Sequence, residues 1–273
     1  MDLVFSEEAL QYRSAGHPES PDRVKKAYSY LKDDYKTREP FQADVDDLHL
    51  VHTKDFVQKV RNGNFADPDC PKYDDLFYYA TLSVGGAIKA QESESLSLMR
   101  PPGHHAGKDF LGGFCYFNNL AIAVKKSGLR TLIVDFDAHH GNGTEDIFLG
   151  DEQVVYLSLH RSPGFPGTGN ESRENAINHP VSATIGDKKY LELLSGEIER
   201  LRGEDFEQLA LSAGFDGHER DPLASVGLST SAFREIGELL ESLELPTFGV
   251  LEGGYVGDDL GKNIDAFLKG FNS

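Results

Sequence analysis

The sequence holds only two cysteines in 273 residues, Cys70 and Cys115, and they form no CxxC pair. That excludes a disulfide-rich framework and makes a reduced intracellular compartment the simplest expectation. Also missing is a basic amino-terminal region followed by a long apolar stretch: the chain opens MDLVFSEEAL, and no later run has the length needed to cross a bilayer. A soluble, cytoplasmic protein without a membrane partner is expected, in which the Asn142-Gly143-Thr144 triplet carries no glycan. Positive charge is scarce, with 27 Lys+Arg against 45 Asp+Glu for a formal net charge of -18. Such a surface repels polyanions at long range, so direct nucleic-acid binding is not expected, while a cationic substrate remains compatible. Repeats, low-complexity tracts and linker-like segments are absent as well. One domain spanning residues 1–273 is therefore expected, with 39% hydrophobic residues to fill its core.

What is present is a rhythm of short apolar runs and longer helical patterns. Strand-like runs occur at 96–99, 131–137, 154–160, 206–216 and 247–254, and helical patterns at about 22–32, 54–61, 73–92, 116–127, 188–203 and 230–243, with one more possible at the carboxyl terminus. In the 188–203 segment Tyr190, Leu191, Leu194, Ile198 and Leu201 share one helical face. Repeated βαβ crossovers predict an α/β fold, a mostly parallel sheet covered by helices on both sides, with functional residues at the carboxyl ends of strands. The segments 61–72 and 161–180 read as long polar connections.

Four polar clusters follow apolar runs. In the first, 135–143, strand alternation would turn Asp135, Asp137 and His139 to the same side, giving carboxylate and imidazole ligands a shared centre. An N-cap followed by a turn is the competing reading. The second, 212–222, offers a further carboxylate that would complete an Asp-His-Asp metal set with room for water, suited to zinc or ferrous iron. His218 and Glu219 compete as donors there, and Asp221-Pro222 taken alone reads as a turn. The third, Arg100-Pro101-Pro102-Gly103-His104-His105-Ala106, puts two histidines on one loop, where one could take a proton from water while the other tunes charge. The fourth, Leu251-Glu252-Gly253-Gly254-Tyr255, sets a phenol after a glycine turn, where it could donate to a developing oxyanion or simply pack.

Taken in order, HPESPDR at 17–23, RPPGHHA at 100–106, GGFCYFNN at 112–119, DFDAHHGNGT at 135–144, SLH at 158–160, SPGFPGTG at 162–169, SAGFD at 212–216, RDPLA at 220–224 and EGGY at 252–255 resemble the zinc-dependent histone deacetylase and acetylpolyamine amidohydrolase superfamily. The resemblance runs from about residue 16 to 257. It implies a three-layer α/β/α arginase/deacetylase-like fold and zinc held by Asp137, His139 and Asp221, leaving Asp216, His218 and Glu219 in supporting or surface roles. It implies His104 beside Asp135 and His105 beside Asn142, with His105 the general base and then acid. Asn142, where one branch has aspartate, is similar to the class II branch. Tyr255 would polarise the substrate carbonyl, and Phe114 and Phe165 would wall a narrow acyl-lysine channel with Gly113, Gly253 and Gly254 beside it. Asp69 resembles a rim carboxylate, with Asp67 and Asp74 as competitors, and Arg23 resembles a buried arginine of the pocket floor. Potassium is implied at Asp135, Asp137, His139, Ser158 and Leu159, and a second cation around Phe148, Asp151 and Val154. The implied activity is deacetylation of an acetyl-lysine peptide or protein. Acetylpolyamine hydrolysis is the near alternative, and an acetoin-utilisation-type protein or a non-catalytic acyl-lysine binder the remoter ones.

Overall fold

The computed structural model describes all 273 residues. Along the chain run β1 (Asp2–Val4), α1 (Pro21–Leu31), β2 (Thr37–Arg38), α2 (Val45–Leu48), α3 (Lys54–Arg61), α4 (Leu76–Glu92), β3 (Ser95–Ser97), α5 (Asn119–Ser127), β4 (Thr131–Asp135), α6 (Asn142–Phe148), β5 (Val154–Arg161), β6 (Ala176–Val181), α7 (Gly186–Leu201), β7 (Gln208–Ala213), α8 (Thr230–Glu241), β8 (Thr247–Leu251) and α9 (Gly257–Phe271). The strands form one sheet in the order β2-β1-β3-β8-β7-β4-β5-β6, with every neighbouring pair parallel.

The side-chain period of two divides each central strand between two cores. Leu132 and Val134 of β4 and Leu209 and Leu211 of β7 enter one core with side chains of α1, α7, α8 and α9. Ile133 and Ala210, one residue out of step, enter the other with α3, α4 and α5. Because helices cover both faces, these strands read as unbroken apolar runs, which is why they stand out in the sequence. On α7, Tyr190, Leu194, Ile198 and Leu201 are buried at helical spacing, and Leu191 packs partly buried beside them. No helix is long and apolar enough to cross a membrane.

Three local expectations change. β4 stops at Asp135, so residues 136–140 form an irregular loop rather than a strand extension. The connection 161–180 contains β6, an edge strand whose Pro180 costs no ladder bond on the open side. The short strands β1 and β2 were not anticipated. After β4 the chain steps outward to β5 and β6, then returns through α7 to β7 on the other flank of β4. Such a reversal opens a crevice at the carboxyl ends of the strands. The loops leaving β3, β4, β5, β7 and β8 all emerge there.

Candidate active site

At the base of that crevice Asp137, His139 and Asp216 place one donor atom each within 4.8 Å of one another. The Nδ1 of His139 lies 3.1 Å from Asp137 Oδ1 and 2.8 Å from Asp216 Oδ2. Asp216 Oδ1 accepts the Ala138 N–H at 2.8 Å, but the buried Oδ2 has no hydrogen-bond partner. Burial and the charge of Asp137 push the Asp216 carboxyl up to about 7. A buried, unpartnered oxygen facing an imidazole nitrogen and a second carboxylate suits a divalent cation, which would relieve that repulsion. The residues present fit a metal.

Asp221, the third ligand that the resemblance implies, has its carboxyl raised by burial and by the nearby charge of Asp137. Its Oδ2 accepts the Tyr255 N–H at 2.8 Å and its Oδ1 accepts the Leu223 N–H at 2.9 Å and the Ala224 N–H at 3.4 Å. Both of its oxygens hold backbone, as both oxygens of Asp137 do, so Asp221 and Asp216 each stand as a candidate for the third place beside Asp137 and His139. Asp221 also fixes the start of the segment that carries Tyr255. His218 turns away to lie over Phe233, and Glu219 is exposed.

His104 and His105 stack with ring centroids 4.0 Å apart, yet their outer nitrogens meet different groups. His104 Nδ1 lies 3.1 Å from Asp135 Oδ2, which also accepts the Tyr156 hydroxyl at 2.9 Å. Asp135 thus braces His104 and stands outside the metal cluster. Burial alone would lower the His104 imidazole, but Asp137, Asp135 and Glu252 override it and hold it up to about 10. His105 Nδ1 lies 2.8 Å from Asn142 Oδ1, a carbonyl oxygen that can only accept. The Nδ1 proton is therefore fixed there, leaving Nε2 as the basic nitrogen. Burial, with His104 and His139 nearby, holds His105 well below the usual imidazole range.

Glu252, the first residue of the EGGY segment, organises this loop. Fully buried, it accepts the Gly103 and His104 N–H groups at 2.8 and 3.2 Å through Oε2 and the Ser212 hydroxyl at 3.2 Å through Oε1. A glutamate between an apolar strand and a glycine pair was the available signal. Arg23 is buried and donates to the carbonyls of Gly254, at 2.8 Å, and Glu252, with its guanidinium 5.1 Å from the Tyr255 ring centroid. Glu19 then joins Arg23 to Arg100, which it grips through both carboxylate oxygens at 2.6 Å. The segments carrying the paired histidines and the tyrosine are thus tied together from below.

A channel of about 250 Å³ rises from this floor, lined by His105, His139, Gly113, Phe114, Phe165 and Tyr255 among others. Phe165 lies edge-on to His105 at 5.0 Å and Phe114 edge-on to Tyr255 at 5.8 Å. Phe114 adopts φ 72°, a left-handed conformation that costs a bulky residue about 1–3 kcal/mol. Burial keeps the Tyr255 phenol protonated far above its usual range. Gly253 is needed for close approach: a Cβ there would lie 2.6 Å from oxygens of both Asp137 and Asp216. Its N–H donates to Asp137 Oδ2 at 2.7 Å, while the Gly254 carbonyl accepts from Arg23. These two glycines therefore spend their backbone groups on the site's frame.

Asp69 lines the mouth, half-buried, and a groove of about 410 Å³ continues from it past His17 and Leu223; Asp67 accepts the Asp69 N–H at 2.9 Å, and neither Asp67 nor Asp74 lines the channel. Of the positions implied for potassium, Asp135 pairs in register with Ser158, and the Ser158 hydroxyl has a partner in His160 Nδ1 at 2.9 Å. Phe148, Asp151 and Val154 lie at the opposite end of β5, where the Asn175 side chain fills the space between their carbonyls.

A parallel α/β/α sheet with an Asp-His-Asp cluster beneath paired histidines and a phenol defines an amidohydrolase-type protein. The chain belongs to the histone deacetylase domain family, whose model matches residues 17–271. It is 37% identical over 300 residues to a probable deacetylase of Methanothermobacter thermautotrophicus, covering 100% of this chain and 91% of that one. It is 35% identical over 213 residues to acetylpolyamine amidohydrolase 1 of Pseudomonas aeruginosa, covering 71% and 61%. The crystal structure of an acetylpolyamine aminohydrolase from Burkholderia pseudomallei superimposes with a TM-score of 0.91 at 25% identity, covering 100% of this chain and 99% of the other. Family and fold together support a deacetylase or amidohydrolase activity on acylated amines.

Proposed function

We propose that the chain is a zinc-dependent deacetylase that hydrolyses the amide of N6-acetyl-lysine, in a peptide or protein, to acetate and the free amine. The observation that carries this reading is the unpartnered Asp216 Oδ2, set 2.8 Å from His139 Nδ1 beneath a channel lined by His105 and Tyr255. Asp137, His139 and Asp216 would hold the metal, which when bound supplies Lewis acidity toward the amide carbonyl and toward water. The oxygen and nitrogen donor set suits zinc, with ferrous iron the alternative.

The protein's own groups then divide the proton work. His105, neutral and anchored through Nδ1 on Asn142, accepts a proton from water at Nε2 and returns it to the departing amine nitrogen. Tyr255, kept protonated by burial, donates to the oxygen on which negative charge develops. His104 stays charged against Asp135 and stabilises that same charge through its position beside His105. Phe114 and Phe165 hold the methylene stem and exclude water around it. A passive binder would need none of this proton-transfer equipment.

Acetylpolyamine hydrolysis is the second reading, favoured by Asp69 at the mouth, where a carboxylate could meet a distal ammonium. The test is a matched kinetic panel of acetyl-lysine peptides, acetylspermidine, acetylputrescine and longer acyl-lysines, with metal content and acetate release measured together. Acetyl-lysine peptides are expected to give the highest kcat/KM. A preference for acetylpolyamines of about tenfold or more, roughly 1.4 kcal/mol in the barrier, reverses the substrate choice. Metal binding without acetate release from any member makes the protein a binder.

A further inference from the structure

The turn between α6 and β5 is closed by a single side chain. The carbonyl oxygens of Phe148, Asp151 and Val154 surround Asn175 Nδ2 at 2.8, 3.2 and 2.8 Å. The other end of the same carboxamide accepts the Gly150 N–H at 2.8 Å, which fixes the orientation: a flipped amide would set an oxygen against three carbonyls and a nitrogen against a donor. Asn175 is itself held in place, since its backbone carbonyl accepts the Tyr156 N–H at 3.0 Å.

Three carbonyl oxygens converging on one point make the kind of cage that coordinates a hard cation. Here the cage already contains a group of partial positive charge, sharing two protons among three acceptors. On the same turn the Lys125 ammonium pairs with the Asp151 carboxylate and lies 5.5 Å from the centroid of the Phe148 ring. A cation entering the cage would have to expel the amide.

We infer that Asn175 is a built-in substitute for a monovalent cation, so that this chain holds the turn at residues 148–154, and with it the start of β5, without an ion. The inference concerns the end of β5 remote from the channel and stands independently of the proposed reaction.

The test is anomalous diffraction from crystals of the wild type and of Asn175→Gly grown with rubidium in place of potassium. The wild type is expected to show no rubidium peak among the three carbonyls, and Asn175→Gly is expected to show one. In parallel, replacing choline chloride by potassium chloride at constant ionic strength should raise the Tm of Asn175→Gly by about 2–4 °C more than that of the wild type. A rubidium peak at the cage in the wild type, with Asn175 displaced, overturns the inference. So does an emptied cage that binds no rubidium and gains no Tm from potassium. Asn175→Ala also clears the cage and takes the place of Asn175→Gly in both arms where the glycine variant does not fold.

Discussion

The floor and the mouth of the channel are built to different standards. At the floor Asp135, Asp137, Asp216 and Glu252 have no exposed surface, and every carboxylate oxygen except Asp216 Oδ2 has an internal partner. At the mouth Asp69 is half-buried, while Phe165 and Leu223 are 46% and 39% exposed on irregular loops. The contrast assigns bond-making to a region where each charge is held by several groups in a low dielectric. It assigns substrate choice to a region where a side chain can change at little cost to the rest.

The largest effect should come from the floor. Asp216→Ala is expected to lose its metal and lower kcat by about 10⁴-fold or more, whereas Asp221→Asn should keep the metal and lose roughly 10–100-fold through a loosened Tyr255. Metal content measured beside turnover separates the two. Metal retained by Asp216→Ala and lost by Asp221→Asn would reverse the ligand assignment.

Next in size is Asn142→Asp. A carboxylate beside His105 Nδ1 favours the imidazolium, so the base is lost to protonation at a higher pH. The acid limb of kcat/KM against pH should then move upward by about one unit, and an unmoved limb would detach His105 from the base role. Smaller again is Phe165→Ala at the mouth, where the loss of a half-exposed wall should raise KM about fivefold with kcat nearly unchanged. A matching fall in kcat would mean that the mouth takes part in the chemistry and that the division drawn above is false.

The smallest effect on turnover is expected from His52, which supports both regions from behind. Its Nδ1 meets the Gly107 carbonyl at 2.8 Å and its Nε2 accepts the Asn118 N–H at 2.9 Å, an arrangement only the neutral ring satisfies. Burial lowers it to about 4, while an unfolded imidazole titrates near 6.5. Between those values the unfolded chain takes up the proton that the folded chain refuses. Stability should therefore fall as the pH drops from about 6.5 toward 4, with a limiting slope of roughly 1.4 kcal/mol per unit from this residue. Thermal melts across that range should be shallower in pH for His52→Gln.

Much of this architecture was legible because buried parallel strands announce themselves as apolar runs. The edge strand β6, AINHPV, did not, because one side of it meets no neighbour and its composition stays polar. In the site, Asp137, His139 and the paired histidines followed from short local segments. The choice between Asp216 and Asp221 cannot be read that way: they sit five residues apart after the same strand, and only the fold shows that the first meets the backbone at residue 138 and the second at residues 223, 224 and 255. Likewise Asn175 lies about twenty residues or more from the carbonyls it fills, so only the folded turn reveals it.

The left-handed backbone of Phe114 has an evolutionary consequence. Glycine at that position would relax the main chain and make the folded state easier to maintain, yet it would remove one wall of the channel. A population selected only for tolerance of heat would drift toward glycine there and lose substrate capture without any sign of misfolding. Persistence of an aromatic residue at position 114 among thermally selected variants would then report that the channel is in use.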